Sequence, residues 1–331
     1  GILSVALQLE GFTVLSRILL FVCITSFVVL LALTVWRIVA YRSALIGDLT
    51  DPRRGFGFFT FVAGTNVLGV RLGLAGFGNA TAVLLVLAGL AWAALGYVVP
   101  WTAILGHRER PVLAAANGTW FIWAVASQSV AVAAATIEPI FDTARRELAV
   151  LAIMSWSVGV FLYGATGVLV ALRLMLYRFG PEELTPPYWV SMGALSITVL
   201  AGARIVEMAD APMVAVTRQL IAGLAVVFWA FATWLIPVLI AAGWWRHVRR
   251  GWPLRYEATL WSIVFPLGMY AVAGIYLGRA DHLPVVEATG AAELWVAFGA
   301  CVVVFVAMIV HVLRTVFAPS VGAAPADGRP T

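Results

Sequence analysis

The sequence predicts an all-α polytopic membrane protein in which ten apolar runs pair into five tandem hairpins. Three observations lead there. Of the 331 residues, 63% are hydrophobic and 11% charged, with a mean hydropathy of +0.99, too much apolar surface for a water-soluble core. Most runs reach the roughly 20 residues that a helix needs to cross a bilayer, and none shows the alternating stretches of about 10 that mark an outer-membrane strand. The runs also alternate in character. Odd-numbered runs are short and carry polar or small residues, as in 58–73 with Thr60, Gly64, Thr65, Asn66 and Gly69, whereas even-numbered runs such as 12–36 and 295–312 are almost uniformly aliphatic or aromatic. A polar inner ring wrapped by a lipid-facing outer ring is one way to build a pore.

Taken in order, the first run, 1–9, is too short to span and opens on Gly1. It is either a helix clipped at its start or a re-entrant piece. The other nine spans are predicted at 12–38, 55–74, 79–105, 117–137, 147–178, 188–208, 213–244, 258–278 and 291–316. The first long run exceeds the h-region of a signal peptide and further spans follow it, so no cleavable signal is expected. Short connections make successive helices antiparallel neighbours. Asp51-Pro52 precedes the third run, Arg110-Pro111 the fifth, Thr185-Pro186-Pro187 the seventh and Trp252-Pro253 the ninth, which terminates one segment and starts the next. This recurrence, at a period of roughly 65 residues, points to an internal repeat of the hairpin. Residues 318–331 read as a disordered tail.

All 21 basic residues are arginine. Thirteen of them, Arg53, Arg54, Arg108, Arg110 and Arg255 included, gather at the even-to-odd connections or just after the tenth run; the other side has seven, beside nine acids. The positive-inside rule then places both termini in the cytoplasm, and the five named arginines would concentrate anions at the inner mouth. The isoelectric point near 9.6 is therefore a topology signal, and no nucleic-acid partner is expected. Cys23 and Cys301 fall within predicted spans, where they read as small apolar residues rather than a disulfide framework.

The middle of every span lacks an ionisable group, which argues against a proton relay or embedded acid–base catalysis. Arg71, Arg173, Arg204, Glu207 and Arg218 lie near helix ends, where long side chains snorkel, and Arg204 with Glu207 has the i,i+3 spacing of a structural ion pair. His107, His247, His282 and His311 have no ligand spacing to one another or to a cysteine, so neither a metal, a cofactor nor an enzyme activity is expected. The odd runs instead offer stripes of small or polar residues: Gly1, Ser4 and Gln8; Thr65, Gly69 and Gly73; Trp120, Ala124, Ser127 and Ala131; Ala194, Thr198 and Gly202. Such stripes serve close helix packing or a polar path. Asn66 and Gln128 are larger amides that need partners or a wet interior. The candidate path comprises Ser4, Gln8, Thr65, Asn66, Gly69, Ser127, Gln128, Ser196 and Thr198, with Ser262 and Pro266 on the ninth run. Pro266 removes a backbone hydrogen bond and kinks that helix, pushing Phe265 toward its concave side. Taken alone, Phe265 reads as a core or lipid-facing residue, and Pro237 has the same kink chemistry in the eighth run.

The stretches GFGFFTFVAGTNVLG (55–69), NGTWFIWAVASQSVAV (117–132), LTPPYWVSMGALSI (184–197) and PLRYEATLWSIVFPLGMY (253–270) resemble the tellurite-resistance and C4-dicarboxylate transporter family, which includes plant slow-type anion channels. The resemblance runs over essentially the whole chain. It implies ten transmembrane helices as five tandem hairpins, with the odd-numbered helices around a central pore, helix 1 truncated, and a homotrimeric assembly. It also implies that Phe265 plugs the pore. Two features depart from the family pattern: Trp123 stands where relatives often have a small residue or proline, and the third and seventh helices lack an internal proline. A Trp on the pore side would narrow the path.

These readings predict a transmembrane channel or transporter domain over 1–317 and a cytoplasmic tail over 318–331. Its function would be that of a bacterial inner-membrane anion channel or permease for small anions or C4-dicarboxylates, with Phe265 as gate. The rival expectations are a proton-coupled malate or succinate carrier and an efflux system for sulfite or tellurite-related anions.

Overall fold

The computed structural model describes residues 1–106, 110–209 and 211–317, and its regular elements are all helical among them. Each predicted run is a helix. The first run is α1 (Ile2–Leu9), the second α2 (Thr13–Ala40), and a short helix α3 (Arg42–Thr50) follows it. The third to sixth runs are α4 (Phe59–Gly73), α5 (Gly78–Val99), α6 (Phe121–Ile137) and α7 (Arg145–Leu176); the rest are α8 (Val190–Val206), α9 (Pro212–Trp244), α10 (Trp261–Ala280) and α11 (Pro284–Phe317). Nine helices among the described residues are long and apolar enough to cross a membrane.

Two boundaries differ from expectation, each for a physical reason. Helix α3 lies where a connection was expected. Its two and a half turns are too short for a periodic pattern, and Asp48 ties it to Arg37 and Arg54 on either side. Helix α11 starts at Pro284, seven residues before the predicted 291. Proline at the first helical position costs no hydrogen bond, so it marks a start rather than a stop.

The inner and outer rings are distinct. Over the most apolar stretch of each helix, 56% of residues are buried in the α4 segment, 94% in α6, 78% in α8 and 67% in α10, against 0 to 33% in α2, α5, α7, α9 and α11. Each hairpin pairs an inner helix with the outer helix that follows it: α1 with α2, α4 with α5, α6 with α7, α8 with α9, α10 with α11. The inner helices pack in the order α1, α4, α6, α8, α10 and back to α1, closing a five-membered ring. The last hairpin is held most closely, because a Cβ on Gly290 would lie 2.7 Å from the Ala271 carbonyl oxygen of α10.

The internal repeat is visible at the end of the bundle where α4, α6, α8 and α10 begin. Four inner helices are each preceded by a 3₁₀ turn, at Gly55–Phe58, Gly118–Trp120, Pro186–Trp189 and Ala258–Leu260, and these turns touch one another in that order. Hydrogen bonds join their connections: Asn117 Nδ2 donates to the Arg53 carbonyl at 3.3 Å, Trp120 Nε1 to the Pro52 carbonyl at 2.8 Å, Arg173 Nε to the Ala114 carbonyl at 2.9 Å and Arg246 Nη1 to the Leu184 carbonyl at 2.7 Å.

Candidate functional site

All five inner helices contribute to one cavity on the ring axis. Ile2 and Val5 come from α1, Asn66, Val67 and Val70 from α4, and Ser129, Val132 and Thr136 from α6. Helix α8 adds Ile197, Leu200 and Arg204, and α10 adds Met269 and Tyr276. Its volume of about 20 Å³ is little more than a single water requires. The lining is mostly aliphatic, with hydroxyl and amide groups from α4 and α6 and one arginine.

The polar groups on this axis are ordered by a short relay. Ser129 Oγ donates to the Ala126 carbonyl at 2.7 Å, so it accepts the 2.9 Å bond from Asn66 Nδ2. That fixes the amide orientation of Asn66, since its carbonyl oxygen could not serve there. Asn66 Oδ1 is buried and has no donor among the described residues. Ser129 and Thr136 escaped the sequence reading although they stand seven residues apart, on one helical face.

The small-residue stripes run along different faces. Gly69 lies against Thr81 and Leu84 of α5, and its carbonyl accepts from Thr81 Oγ1 at 2.7 Å. Ser127 Oγ donates to the Ser155 carbonyl at 3.0 Å and Gln128 Nε2 to the Trp156 carbonyl at 3.0 Å, both on α7. Thr198 Oγ1 bonds back to the Ala194 carbonyl, while its own carbonyl accepts Trp156 Nε1 at 3.1 Å. Ser196 Oγ donates to the Met192 carbonyl of its own helix. Thr65 is fully buried, and its hydroxyl has no partner among the described residues. Gly69, Ser127, Gln128 and Thr198 thus stand in seams between an inner helix and an outer neighbour, where small side chains let backbones approach. Asn66 is the candidate-path residue that reaches the cavity lining.

Ser4 and Gln8 turn toward α2 and α4. Ser4 Oγ donates to the Ser16 carbonyl at 2.7 Å and Ser16 Oγ to the Ser4 carbonyl at 2.6 Å. With their protons thus spent, both hydroxyls accept from Arg71, Nε to Ser4 at 2.8 Å and Nη2 to Ser16 at 2.9 Å, and Nη2 also reaches Gln8 Oε1 at 3.1 Å. Arg71 is 2% exposed and has no carboxylate partner among the described residues.

Phe265 is half-buried against the core, four residues before the cavity-lining Met269. That spacing places it on the same face of α10, one turn toward the start of the helix. Pro266 is buried against α8, where a Cβ on Gly193 would meet its Cγ at 2.8 Å, so only glycine lets the kinked segment approach. Ser262 is half-buried one turn further in. Trp123 stacks on Phe59 at 6.3 Å and lies 5.6 Å from Phe56, in the seam with the α4 segment.

At the end of the bundle where α4 and α10 begin, Arg53 and Arg255 are exposed, and Arg110 Nη2 donates to the Leu105 carbonyl. Arg54 bonds Asp48 at 2.8 Å, and Asp48 also takes Arg37. Hydrogen bonds from Arg54 and then Arg37 hold the Asp48 carboxyl below its usual range. Arg108 and the tail 318–331 lie outside the described residues.

Residues 1–309 match the family model described as a voltage-dependent anion channel. The chain belongs to this family. Members of the voltage-dependent anion channel family are membrane channels and transporters, so this chain is a multi-pass membrane transport protein and not an enzyme. An uncharacterised membrane protein of Mycobacterium tuberculosis is 62% identical over 156 residues, which is 47% of this chain and 79% of that protein. An uncharacterised transporter of Methanocaldococcus jannaschii is 23% identical over 291 residues, covering 86% of this chain and 82% of its own length.

Proposed function

We propose that the chain conducts small anions along the axis of the inner ring, with Phe265 as the gate. The observation that carries this reading is the axial cavity itself. It is built by all five inner helices, contains no carboxylate, and has Phe265 one turn inward on the cavity-lining face of α10. A volume of about 20 Å³ suits a largely dehydrated monoatomic anion better than a C4-dicarboxylate. Hydroxyl and amide groups would solvate the ion without trapping it. The inner-mouth arginines draw anions toward the axis, and the arginine bias orients the chain with both termini and the 318–331 tail in the cytoplasm of a bacterial inner membrane. Residues 1–317 form the conducting domain, and three copies assemble through the exposed outer helices.

Phe265→Ala tests the gate. In proteoliposomes with an imposed potential, the variant should carry more chloride than the unmodified chain. Unchanged flux from a folded, inserted variant would remove the gate assignment. Uphill malate or succinate uptake driven by a pH gradient would replace the channel by a coupled carrier, and preferential flux of sulfite would favour an efflux role.

A further inference from the structure

Three inner helices end on an arginine in their last turn: Arg71 on α4, Arg204 on α8 and Arg279 on α10. Each position complements the helix dipole, yet the three side chains go to different places. Arg71 is turned into the seam with α1 and α2. Arg279 donates to Glu287 at 2.8 Å, to Glu10 at 2.6 Å and to the Leu9 carbonyl at 3.2 Å. Arg204 alone of the three lines the axial cavity, and it is the only lining residue with a formal charge at neutral pH.

Its surroundings present that charge asymmetrically. Nη1 donates to Glu207 Oε2 at 2.7 Å, and the guanidinium carbon lies 5.3 Å from the Tyr276 ring centroid. The Arg204 side chain is 19% exposed and that of Glu207 41%, so the carboxylate compensates from the watery side. Water and salt screen that partner more than they screen the better-buried guanidinium facing the cavity. Net positive potential therefore remains toward the cavity.

We propose that Arg204 is the outer electrostatic filter of the path, a specificity-determining residue that favours anions over cations, with Glu207 setting how much of its charge the lumen feels. This inference rests on the channel reading above. The test measures chloride flux into proteoliposomes carrying the full chain, at low and at about 1 M ionic strength, where the Debye length falls to about 3 Å. Arg204→Gln should lower flux at low salt by about tenfold, the lower end of electrostatic focusing in a charged cleft, and the deficit should shrink at high salt. Arg204→Lys should restore most of the flux. Glu207→Gln leaves Arg204 in place and should exceed the unmodified chain at low salt. Variants indistinguishable from the unmodified chain at both salts would overturn the filter. So would an Arg204→Gln deficit that is independent of salt and not rescued by lysine, which marks a structural prop. An unmodified chain that passes no anion at all would instead remove the channel reading itself.

Discussion

Arg71 and Arg204 occupy equivalent places, the last turn of an inner helix, yet one is buried in a helix seam and the other faces the ring axis. Arg71 is 2% exposed and spends Nε and Nη2 on two serines and a glutamine, while Nη1 is buried without an acceptor among the described residues. Arg204 keeps a glutamate on its wet side and offers the rest of its charge to a cavity. The difference lies in what the neighbouring helix provides. Beside Arg71 the two-turn α1 brings Ser4 and Gln8, neutral acceptors that organise a guanidinium without cancelling its charge. Beside Arg204 stands the aromatic face of Tyr276. One arginine holds the ring together; the other electrifies its lumen.

Stability measurements on detergent-solubilised protein can break this contrast. The largest effect is expected from Arg71→Ala, which empties a buried site and frees α1 from α2 and α4. A loss of about 2–4 kcal/mol is expected; a loss below that of Arg204→Ala would reverse the assignment of roles. Ser16→Ala removes one bond to Ser4 and one from Arg71, for about 1–2 kcal/mol, and thermal unfolding should show it as a smaller shift of the same sign. Arg204→Ala should stay within about 1 kcal/mol, because its ion-pair partner is well exposed.

The smallest effect concerns pH at the inner mouth. Asp48 has its carboxyl lowered by Arg54 and Arg37, so the stability it contributes is fully present above the ordinary carboxylate pKa of about 3.9. That contribution disappears only as pH falls through the lowered native value. Hydrogen exchange in the 41–54 segment should therefore be insensitive to acidification from pH 7 to 5, apart from the intrinsic exchange rate. Asp48→Asn should loosen this segment at every pH.

Much of this architecture was legible in the sequence because lipid imposes simple rules. Long aliphatic runs such as 295–312 have no way to be buried except against bilayer, and prolines at 52, 111, 186 and 253 punctuate the chain before α4, α6, α8 and α10. Helix faces were harder to read. Helix α6 has polar residues on two sides, Ser127 and Gln128 toward α7 and Ser129 and Thr136 toward the axis. Periodicity reports that both exist without saying which side meets a neighbour. The last-turn arginines pose the same problem, since sequence position places Arg71 and Arg204 alike and only the packing of α1 separates them. Helix α3 was hidden by its length.

The closed ring also has a history within each molecule. Four of its five joints link hairpins adjacent in the chain, so each hairpin can dock on the one made before it. The fifth joint, α10 against α1, spans nearly the whole sequence and is fastened where Arg279 meets Glu10 and the Leu9 carbonyl, 269 and 270 residues away. Until that final hairpin arrives the inner helices form an open arc, and the cavity that all five of them line is incomplete. The chain therefore acquires its axial cavity in a single late step, and a synthesis halted before α10 would leave that cavity unbuilt.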